Sequence, residues 1–245
     1  MSFILKKRFG QNFLIDRNVL NKIQQLIPSE NLNILEIGPG DGRLTDKIIL
    51  KKPKKLTLVE IDDFLVKDLK IKYSKNKNME IINSDILNFR VSNHYQLVIS
   101  NLPYNISSQI LVKLTLLNNS PELLILMFQK EFAKRLLNKK LNSINSLVNC
   151  FYKINLNFNI SKNCFRPIPK VDSSILTFKK LSKRLLNQNE INDFIIFKRK
   201  LFSQKRKSLR NVLKKYNLDE NYNLDLRVEN LELRELVKIF RAINL

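Results

Sequence analysis

The sequence predicts an α/β protein with a doubly wound, mostly parallel sheet, followed by a small all-helical domain. Two observations support this fold class. Short apolar runs alternate with helix-like periodicity through the first half of the chain, which is typical of parallel strands joined by right-handed crossover helices. Beyond about Leu181 the strand patterns vanish and helices with basic faces follow. We therefore expect a first domain at 1–180, beginning with a basic arm at 1–15, and a helical domain at 181–245.

The elements of the first domain follow one another in a regular order. Asp16 is placed to cap a helix that runs through Ile27 and that Pro28 ends. Two alternating runs, at 154–160 and 173–178, are expected to pair as an antiparallel edge. The remaining patterns predict strands at 34–37, 56–61, 79–84, 96–101 and 123–128, and helices at about 44–50, 62–73, 106–117, 129–137 and 143–152.

The segment NILEIGPGDGRLT at 33–45 contains three of the four glycines of the chain, Gly38, Gly40 and Gly42. An apolar strand pattern precedes these glycines and a helix pattern follows them. Glycine allows the backbone to adopt positive φ and to approach a ligand closely. A strand, a glycine turn and a helix in this order are typical of the cofactor loop of a doubly wound sheet. We therefore expect a bound cofactor at this turn.

The residues around the turn indicate which cofactor it binds. Arg43 occupies the place of the third small residue of a dinucleotide fingerprint. Glu36 and Asp41 would repel a pyrophosphate, whereas they suit a ligand that carries an ammonium and a sulfonium. Glu60 ends the second strand, where it can accept hydrogen bonds from both ribose hydroxyls, and Asp85 follows the third, where it can accept from an adenine amine. This set fits S-adenosylmethionine better than NAD.

The fourth strand is predicted to end in Asn101-Leu102-Pro103-Tyr104, at the same edge of the sheet as the cofactor. Pro103 pushes Leu102 out of the α region and donates no hydrogen bond, so carbonyls here are available as acceptors. An asparagine oxygen and such a carbonyl can hold both hydrogens of an exocyclic amine and direct its lone pair towards a methyl donor. Tyr104 offers a flat face on which the base can stack. The tetrapeptide alone is a common turn signal, but at this strand end it predicts methyl transfer to a base amine.

The net charge of the chain indicates the class of its binding partner. Lysine and arginine number 44 against 22 acidic residues, a net charge of +22. The segment 179–215 has thirteen basic and two acidic residues, which is half of the surplus. A general bias towards lysine would not explain this clustering, which favours a polyanion, nucleic acid before membrane. The candidate RNA-binding residues lie in the N-terminal arm and in the basic segment: Lys6, Lys7, Arg8, Lys205, Arg206, Lys207 and Arg210.

The composition disfavours several other classes of protein. His94 is the only histidine, which excludes a multi-histidine metal site and argues against a histidine-dependent triad. Cys150 and Cys164 are too few and too isolated for a disulfide framework or a zinc site. No apolar run approaches a membrane span, and the first ten residues lack the apolar core of a signal peptide. We expect a monomer in the reducing cytoplasm, without a metal.

Together these motifs resemble the KsgA family of small-subunit ribosomal RNA adenine-N6,N6 dimethyltransferases. The macrolide-resistance ribosomal methylases also carry QNFL, but Pro39 and Leu102 favour the dimethyltransferases. The segments that carry the resemblance occur in the order of the family and span essentially the whole chain: QNFL at 11–14, EIGPGDGRLT at 36–45, VEID at 59–62, SDIL at 84–87, NLPYNIS at 101–107, FQKE at 128–131, FRPIPKVDSS at 165–174, SQKRKSLRN at 203–211 and RVENL at 227–231.

The resemblance implies a Rossmann-like class I methyltransferase sheet that uses S-adenosyl-L-methionine. The implied reaction transfers four methyl groups to two adjacent adenosines in a hairpin near the 3′ end of 16S rRNA, on a partly assembled 30S subunit, with a role in ribosome biogenesis. Asn101 to Tyr104 would contact the target adenine, and Phe165 would stack on its other face. The implied cofactor contacts are Asn12, Leu14, Gly38, Gly40, Glu60, Ile61, Asp85, Ile86 and Asn101.

Two alternatives stay open at this point. The chain could be a non-catalytic RNA-binding or ribosome-binding factor on a methyltransferase scaffold, although such a factor has no need of the acceptor pair at Asn101 and Leu102. It could also methylate adenine N6 in large-subunit rRNA or in DNA, since enzymes of that chemistry use a similar tetrapeptide. One departure from the family lies at 138–146 (NKKLNSINS), which lacks the usual glycine and puts docking on the subunit in more doubt than catalysis.

Overall fold

The computed structural model describes residues 12–29, 31–91, 94–216, 218 and 222–243. The chain divides into two compact units. The first comprises the chain up to Ala133 together with Asn155–Lys179, and the second comprises Lys134–Ile154 and the chain from Lys180 onward. The segment 134–154, which we expected in the first domain, thus groups with the second unit, while the junction after Lys179 lies beside the expected boundary.

Within the described residues the secondary structure alternates as the sequence pattern predicts. The strands are β1 (Phe13–Leu14), β2 (Asn33–Ile37), β3 (Lys55–Glu60), β4 (Met79–Asn83), β5 (Leu97–Asn101), β6 (Leu123–Gln129), β7 (Tyr152–Ile160), β8 (Phe165–Arg166) and β9 (Ser173–Lys180). The helices are α1 (Arg17–Leu26), α2 (Arg43–Ile49), α3 (Asp63–Lys72), α4 (Ser107–Thr115), α5 (Lys130–Leu137), α6 (Asn145–Val148), α7 (Ile191–Ser203), α8 (Leu209–Leu213) and α9 (Leu233–Ile243).

The first unit is built on a seven-stranded sheet of order β4-β3-β2-β5-β6-β9-β7. Its β2–β3, β3–β4, β2–β5 and β5–β6 pairs are parallel, and β9 runs antiparallel to β6. The strand order reverses between β2 and β5, which is where doubly wound sheets bind their ligands. The glycine turn follows β2 and Asn101 ends β5, so the topology brings the two strongest sequence signals to one edge.

Local hydrogen bonds explain why several elements begin or end where they do. The Asp16 carboxylate accepts a hydrogen bond from the Val19 amide (2.9 Å), so it caps α1 as predicted. The Ser100 hydroxyl donates to the Ile37 carbonyl (2.6 Å) and ties the end of β5 to the end of β2. Apolar side chains from one face of the sheet pack with residues of α1, α2 and α3 in a buried core of this unit.

Two features differ from the sequence-based expectation. The helix expected at 143–152 ends at Val148, and β7 begins at Tyr152. The Asn142 carboxamide oxygen accepts from the Ile144 and Asn145 amides, which fixes a short helical start. We did not expect the two-residue strands β1 and β8, which pair antiparallel with each other, because such short segments have no detectable periodicity.

The second unit has its own aromatic core. The rings of Phe194 and Phe197 on α7 and of Phe240 on α9 lie 5.2–6.4 Å apart between centroids. Lys198, also buried on α7, donates from Nζ to the carbonyl oxygen (2.6 Å) and the hydroxyl (3.0 Å) of Ser143. Burial, with the nearby Arg199, lowers the pKa of Lys198 to about 8. The hydrogen bonds to Ser143 therefore satisfy an ammonium group that the apolar surroundings disfavour.

None of the helices in the described ranges is both long enough and apolar enough to cross a membrane. In the same part of the chain, no group of three or more His, Cys, Asp or Glu side chains is arranged to hold a metal ion.

Candidate active site

A cavity opens in the first unit at the carboxyl ends of β2, β3, β4 and β5. It brings together residues that are far apart in the sequence, because parallel strands all end at the same edge of the sheet. Of the expected site residues in the described part of the chain, its wall contains the following: Asn12, Leu14, Gly38, Gly40, Glu60, Ile61, Asp85, Ile86, Asn101, Leu102, Pro103 and Tyr104.

The glycine turn forms one wall of the cavity. Gly38 and Gly40 adopt φ values of +62° and +60°, a region that side chains with a Cβ rarely occupy. A Cβ on Gly40 would lie 2.7 Å from Cε1 of Phe13, whereas a Cβ on Gly38 would meet nothing within 4 Å. Gly40 is therefore required both for the turn and for the close packing of the β1 segment over it.

Glu60, at the end of β3, is buried and accepts backbone hydrogen bonds with both carboxylate oxygens. Oε1 accepts from the amides of Ile61 (2.9 Å) and Asp62 (3.0 Å), and Oε2 from that of Gly40 (3.2 Å). Burial raises the pKa of Glu60, and these three amides oppose the shift. A carboxylate offers about four acceptor directions, so the three amides fix the group in place and leave about one direction for a hydroxyl at the cavity.

Glu36, in β2, lines the cavity but is almost completely buried. Its Oε2 accepts a hydrogen bond from the Thr45 hydroxyl at 2.7 Å. Burial raises the pKa of Glu36 to about 8, and the hydrogen bond from Thr45 opposes the shift. From the sequence we expected Glu36 to be a counter-charge for a cationic ligand. In this structure the carboxyl group holds its proton at neutral pH, and a cation placed nearby would lower its pKa again.

Hydrogen bonds from the C-terminal end of α3, and from the residue that follows it, Tyr73, stabilise the glycine turn. The Tyr73 hydroxyl lies 2.8 Å from the Gly42 carbonyl and 2.6 Å from Oδ1 of Asp46, and Lys72 pairs with Oδ2 of Asp46 at 2.8 Å. Within the turn, Asp41 forms an ion pair with Nε of Arg43 at 2.9 Å. The negative charge of Asp41 is thus partly balanced inside the loop itself.

The turn after β4 carries Asp85 and Ile86. Oδ1 of Asp85 accepts from the Leu87 amide at 2.9 Å. Lys113 on α4 donates to the carbonyls of Leu87 (2.8 Å) and Phe89 (2.6 Å), and its partial burial lowers its pKa. Lys113 thus stabilises this turn through hydrogen bonds from α4. Sequence reasoning missed it, because nothing distinguishes it from the other lysines on helices.

Asn101 ends β5 at the cavity. Its Nδ2 donates to the main-chain carbonyl of Asn12 at 2.8 Å. With the amide nitrogen held by that carbonyl, the other end of the carboxamide, Oδ1, is the acceptor. The contact also joins β5 to the segment that begins β1. The side chain that we expected to accept a hydrogen bond from a base amine therefore has its orientation fixed by the fold.

Tyr104 lies three residues further on, with its ring at the cavity and its hydroxyl turned away from it towards β9. The hydroxyl oxygen lies 2.6 Å from Oγ of Ser173, the buried first residue of β9. Burial raises the pKa of Tyr104. We did not single out Ser173 from the sequence, although it belongs to the FRPIPKVDSS block that carries the resemblance.

Among the expected catalytic and cofactor-binding residues, all of which lie in the described part of the chain, Phe165 is the one that does not line the cavity. The ring is 0% exposed and packs in the core of the unit, and the residue pairs with Leu14 across β1 and β8. In this conformation the ring has no free face for a base. Its stacking role stays a prediction, one that would require the β1–β8 pair to open.

The donor set fits S-adenosylmethionine. Acidic side chains at Asp41, Glu60 and Asp85 surround a cavity that has few basic groups, which suits a ligand with a positive sulfonium and ammonium. Apolar side chains from Ile61, Ile86 and neighbouring residues provide surfaces for an adenine ring. The glycine turn adds a backbone surface without side chains.

The expected RNA-binding residues are distributed differently. Lys6, Lys7 and Arg8 lie outside the described residues. In the second unit, Lys205, Arg206 and Lys207 are exposed in the turn that follows α7. Arg210 is exposed as well, but its Nε and Nη2 bind the two carboxylate oxygens of Asp225 at 2.9 and 3.2 Å. Its guanidinium is already paired, so it is the weakest of these candidates.

The chain resembles known proteins along nearly its whole length. The chain matches the model of the ribosomal RNA adenine dimethylases over residues 2–244. Relatives named ribosomal RNA small subunit methyltransferase A include that of Mycoplasmopsis pulmonis, 38% identical with 96% of this chain and 97% of the relative covered. That of Pelagibacter ubique is 40% identical, with 93% and 92% covered.

Solved structures confirm the predicted class I methyltransferase fold. A dimethyladenosine transferase from Plasmodium falciparum superimposes with a TM-score of 0.81 at 25% identity, over 95% of this chain and 98% of that one. The 23S rRNA methyltransferase ErmE shares the fold, with a TM-score of 0.77 at 22% identity, over 95% and 100% of the two chains. From the match along nearly its full length, the chain belongs to the ribosomal RNA adenine dimethylase family.

Proposed function

We propose that this protein uses S-adenosyl-L-methionine to dimethylate N6 of two adjacent adenosines near the 3′ end of small-subunit (16S) rRNA. The observation that carries the proposal is the fixed carboxamide of Asn101, which presents Oδ1 as an acceptor at the cavity. Membership of the ribosomal RNA adenine dimethylase family supports the same activity.

The target amine is held by acceptors at the end of β5. Asn101 Oδ1 and the Leu102 carbonyl each accept one N6 hydrogen of the adenine. Two acceptors in this arrangement oppose delocalisation of the nitrogen lone pair into the ring and direct the lone pair into the cavity. The ring of Tyr104 supports the face of the base, a contact of about 1–3 kcal/mol if it resembles stacking in single-strand binders.

The cofactor is held by the turns after the other strands. Glu60 accepts from a ribose hydroxyl, Asp85 accepts from the adenine amine, and Ile61 and Ile86 cover the adenine faces. The glycine turn and Asn12 contact the amino-acid part. When bound, S-adenosylmethionine supplies an electrophilic methyl group on its sulfonium.

The protein contributes to the rate chiefly by position, because an in-line displacement depends on alignment. The N6 nitrogen forms a bond to the methyl carbon as the bond from carbon to sulfur breaks. The methylated nitrogen is then acidic, and its proton leaves to an acceptor oxygen or to water. A dedicated base is not required, which agrees with a cavity whose lining residues include no histidine in the described part of the chain.

The physiological partner is a partly assembled small subunit. The net charge of +22 suits a large polyanion, and the exposed cations at 205–207 give a place for phosphate contacts. We further propose that the protein acts as a monomer in the cytoplasm, with a second role in subunit biogenesis.

A methyl-transfer assay tests the proposal. Purified protein and radiolabelled S-adenosylmethionine are incubated with unmethylated small subunits, naked 16S rRNA, large-subunit rRNA or duplex DNA, and the products are digested to nucleosides. We expect labelled N6,N6-dimethyladenosine from two neighbouring positions of the small-subunit RNA. Label on large-subunit RNA or on DNA would support methyl transfer but reject small-subunit RNA as the substrate. RNA binding without label would reject the proposed enzymatic activity.

The Asn101→Ala variant tests the residue that carries the proposal. It should lose methyl transfer almost completely while its affinity for RNA changes little. Asn78→Ala is a matched control, because Asn78 also donates from Nδ2 to a main-chain carbonyl, that of Pro53 at 2.7 Å, but is not part of the cavity wall. Transfer at the wild-type rate by Asn101→Ala would reject the assigned role.

A further inference from the structure

The loop between β8 and β9 is anchored at both ends to residues of the cavity wall. At its start, Arg166 pairs with Phe13 and Phe165 with Leu14 across the β1–β8 ladder. At its end, Ser173 contacts the hydroxyl of Tyr104 at 2.6 Å. Phe13, Leu14 and Tyr104 all line the cavity. The loop therefore joins the two sides of the site that receives the target base.

The tip of this loop exposes apolar side chains. Ile168 is 53% exposed and Val171 is 43% exposed. Each lies two residues from an anchored position, so its Cα is within about 7 Å of the Cα of Arg166 or Ser173. Pro167 and Pro169 flank Ile168 and restrict the backbone dihedral angles. Apolar side chains that are exposed on a stiff backbone, close to residues bound to the cavity wall, suggest a contact with a ligand that extends beyond the cavity.

The loop also carries positive charge. Arg166 and Lys170 are exposed, and neither has a carboxylate partner among the described residues. Within the part of the chain that the structure describes, the Arg166 guanidinium donates to the main-chain carbonyls of Phe165 (2.8 Å) and Asn163 (3.3 Å). Cations beside apolar side chains match a nucleic-acid strand, which presents phosphates beside the flat faces of bases.

We propose that the loop tip at 166–171 is a wedge that holds the RNA strand open beside the target adenosine. Ile168 and Val171 contact the bases next to the extruded adenosine, and Arg166 and Lys170 contact the adjoining phosphates. This inference rests on the proposed function and adds to it an element that separates the target from its neighbours.

The need for such an element follows from the geometry of the cavity. An adenine amine within a stacked helix cannot reach the end of β5, so the nucleotide must leave the stack. Apolar side chains inserted between bases stabilise the unstacked strand by replacing part of the lost stacking contact. A wedge anchored next to Tyr104 would keep the extruded base and the opened strand in register.

The test compares three proteins: the wild type, the double variant Ile168→Ala/Val171→Ala, and the control double variant Leu50→Ala/Ile71→Ala. The control removes two apolar side chains that are more exposed, at 64% and 75%, and that do not line the cavity. One measurement is kcat/KM on unmethylated small subunits. A second uses an RNA hairpin with 2-aminopurine at the target position, whose fluorescence rises when the base leaves the stack. Thermal unfolding and S-adenosylmethionine affinity complete the set.

We expect the loop variant to lose about tenfold in kcat/KM and most of the fluorescence rise at saturating protein. Its melting temperature and cofactor affinity should match those of the wild type, and the control variant should match the wild type throughout. Unchanged fluorescence at saturation, even with weaker binding, would reject the wedge. If the wild type itself fails to methylate small-subunit RNA, the proposed function fails whatever the loop variant does.

Discussion

At the scale of single residues, side chains that line the cavity are held in place by hydrogen bonds to other elements. The ring of Tyr104 lies at the cavity, while its hydroxyl is fixed by Ser173 on β9. The carboxamide of Asn101 is fixed by a main-chain carbonyl of the β1 segment. Such hydrogen bonds contribute about 1 kcal/mol each to stability, yet a small displacement of an aligned group costs far more in rate.

We predict that Ser173→Ala and Tyr104→Phe each lower kcat for methyl transfer several-fold. Both remove the same hydrogen bond, so the double variant should be no slower than either single variant. Ser174→Ala is the control, because Ser174 is equally buried but its hydroxyl donates to Asn159 at 2.7 Å. The measurement is kcat and KM for the four variants, and fully additive losses would show that Ser173 does not act through Tyr104.

Glu36 gives a prediction for the dependence of stability on pH. Its pKa is about 8 in the folded protein and about 4.5 in the unfolded chain. Below pH 4.5 both states hold the proton, and the carboxyl group adds no pH dependence. Between pH 4.5 and 8 only the unfolded state releases the proton, so the free energy of unfolding falls as the pH rises.

Glu36→Gln should remove this loss of stability at higher pH while retaining the hydrogen bond from Thr45. We expect equal stability of the variant and the wild type near pH 4, and an advantage of the variant on the order of a few kcal/mol by pH 8. Urea unfolding between pH 4 and 8.5 measures it. The exposed Glu131→Gln serves as a control for charge loss at the surface, and parallel curves for Glu36→Gln and the wild type would contradict the buried proton.

At the scale of elements, the glycine turn and the β1 segment depend on one another. Gly38 and Gly40 share almost the same positive φ, but only Gly40 lies against the ring of Phe13. Comparing substitutions at the two positions thus distinguishes backbone strain from the packing of β1 on the turn. A Cβ at positive φ costs about 1–2 kcal/mol, and a contact at 2.7 Å adds to this cost unless the ring shifts.

We therefore predict that Gly40→Ala lowers the melting temperature more than Gly38→Ala does. Both positions have nearly the same positive φ, so the difference mainly reports the Phe13 contact. Replacing Phe13 by alanine should make the two substitutions equivalent. Thermal unfolding of the single and double variants measures this, and equal losses in the presence of Phe13 would show that the β1 segment does not pack on the turn in solution.

The elements also show how far the sequence was informative. Glu60, Asp85 and Asn101 could be placed because each follows an apolar run, and the ends of parallel strands meet at one edge. The burial of Phe165 could not be predicted, since it depends on the two-residue pairing of β8 with β1. Lys113 and Ser173 were missed for a related reason: they contact the site across the tertiary structure, and local patterns contain no information on such contacts.

At the scale of the whole molecule, charge is the dominant property. A net charge of +22 attracts any polyanion, so general attraction has to be separated from local phosphate contacts. The exposed turn at 205–207 is the best-defined local candidate. Arg210 is less suited to phosphate, because its guanidinium binds both oxygens of Asp225.

The distinction can be tested by the salt dependence of RNA binding. One variant changes Lys205, Arg206 and Lys207 to glutamine, and a matched control changes the exposed Lys70, Lys75 and Lys77 of the first unit to glutamine. Each lowers the net charge from +22 to +19. A phosphate contact contributes about 0.7–0.9 to the slope of log affinity against log salt, so three lost contacts should reduce the slope by about 2.

We expect that reduction for the 205–207 variant and a much smaller one for the control, with methyl-donor affinity unchanged in both. Arg210→Gln should alter the slope less than any single change at 205–207, because breaking its pair with Asp225 releases a carboxylate as it removes a cation. Equal slopes for the two triple variants would mean that RNA responds to the total charge of the molecule. The basic turn would then have no special role, and the contacts that position the subunit would have to lie elsewhere on the chain.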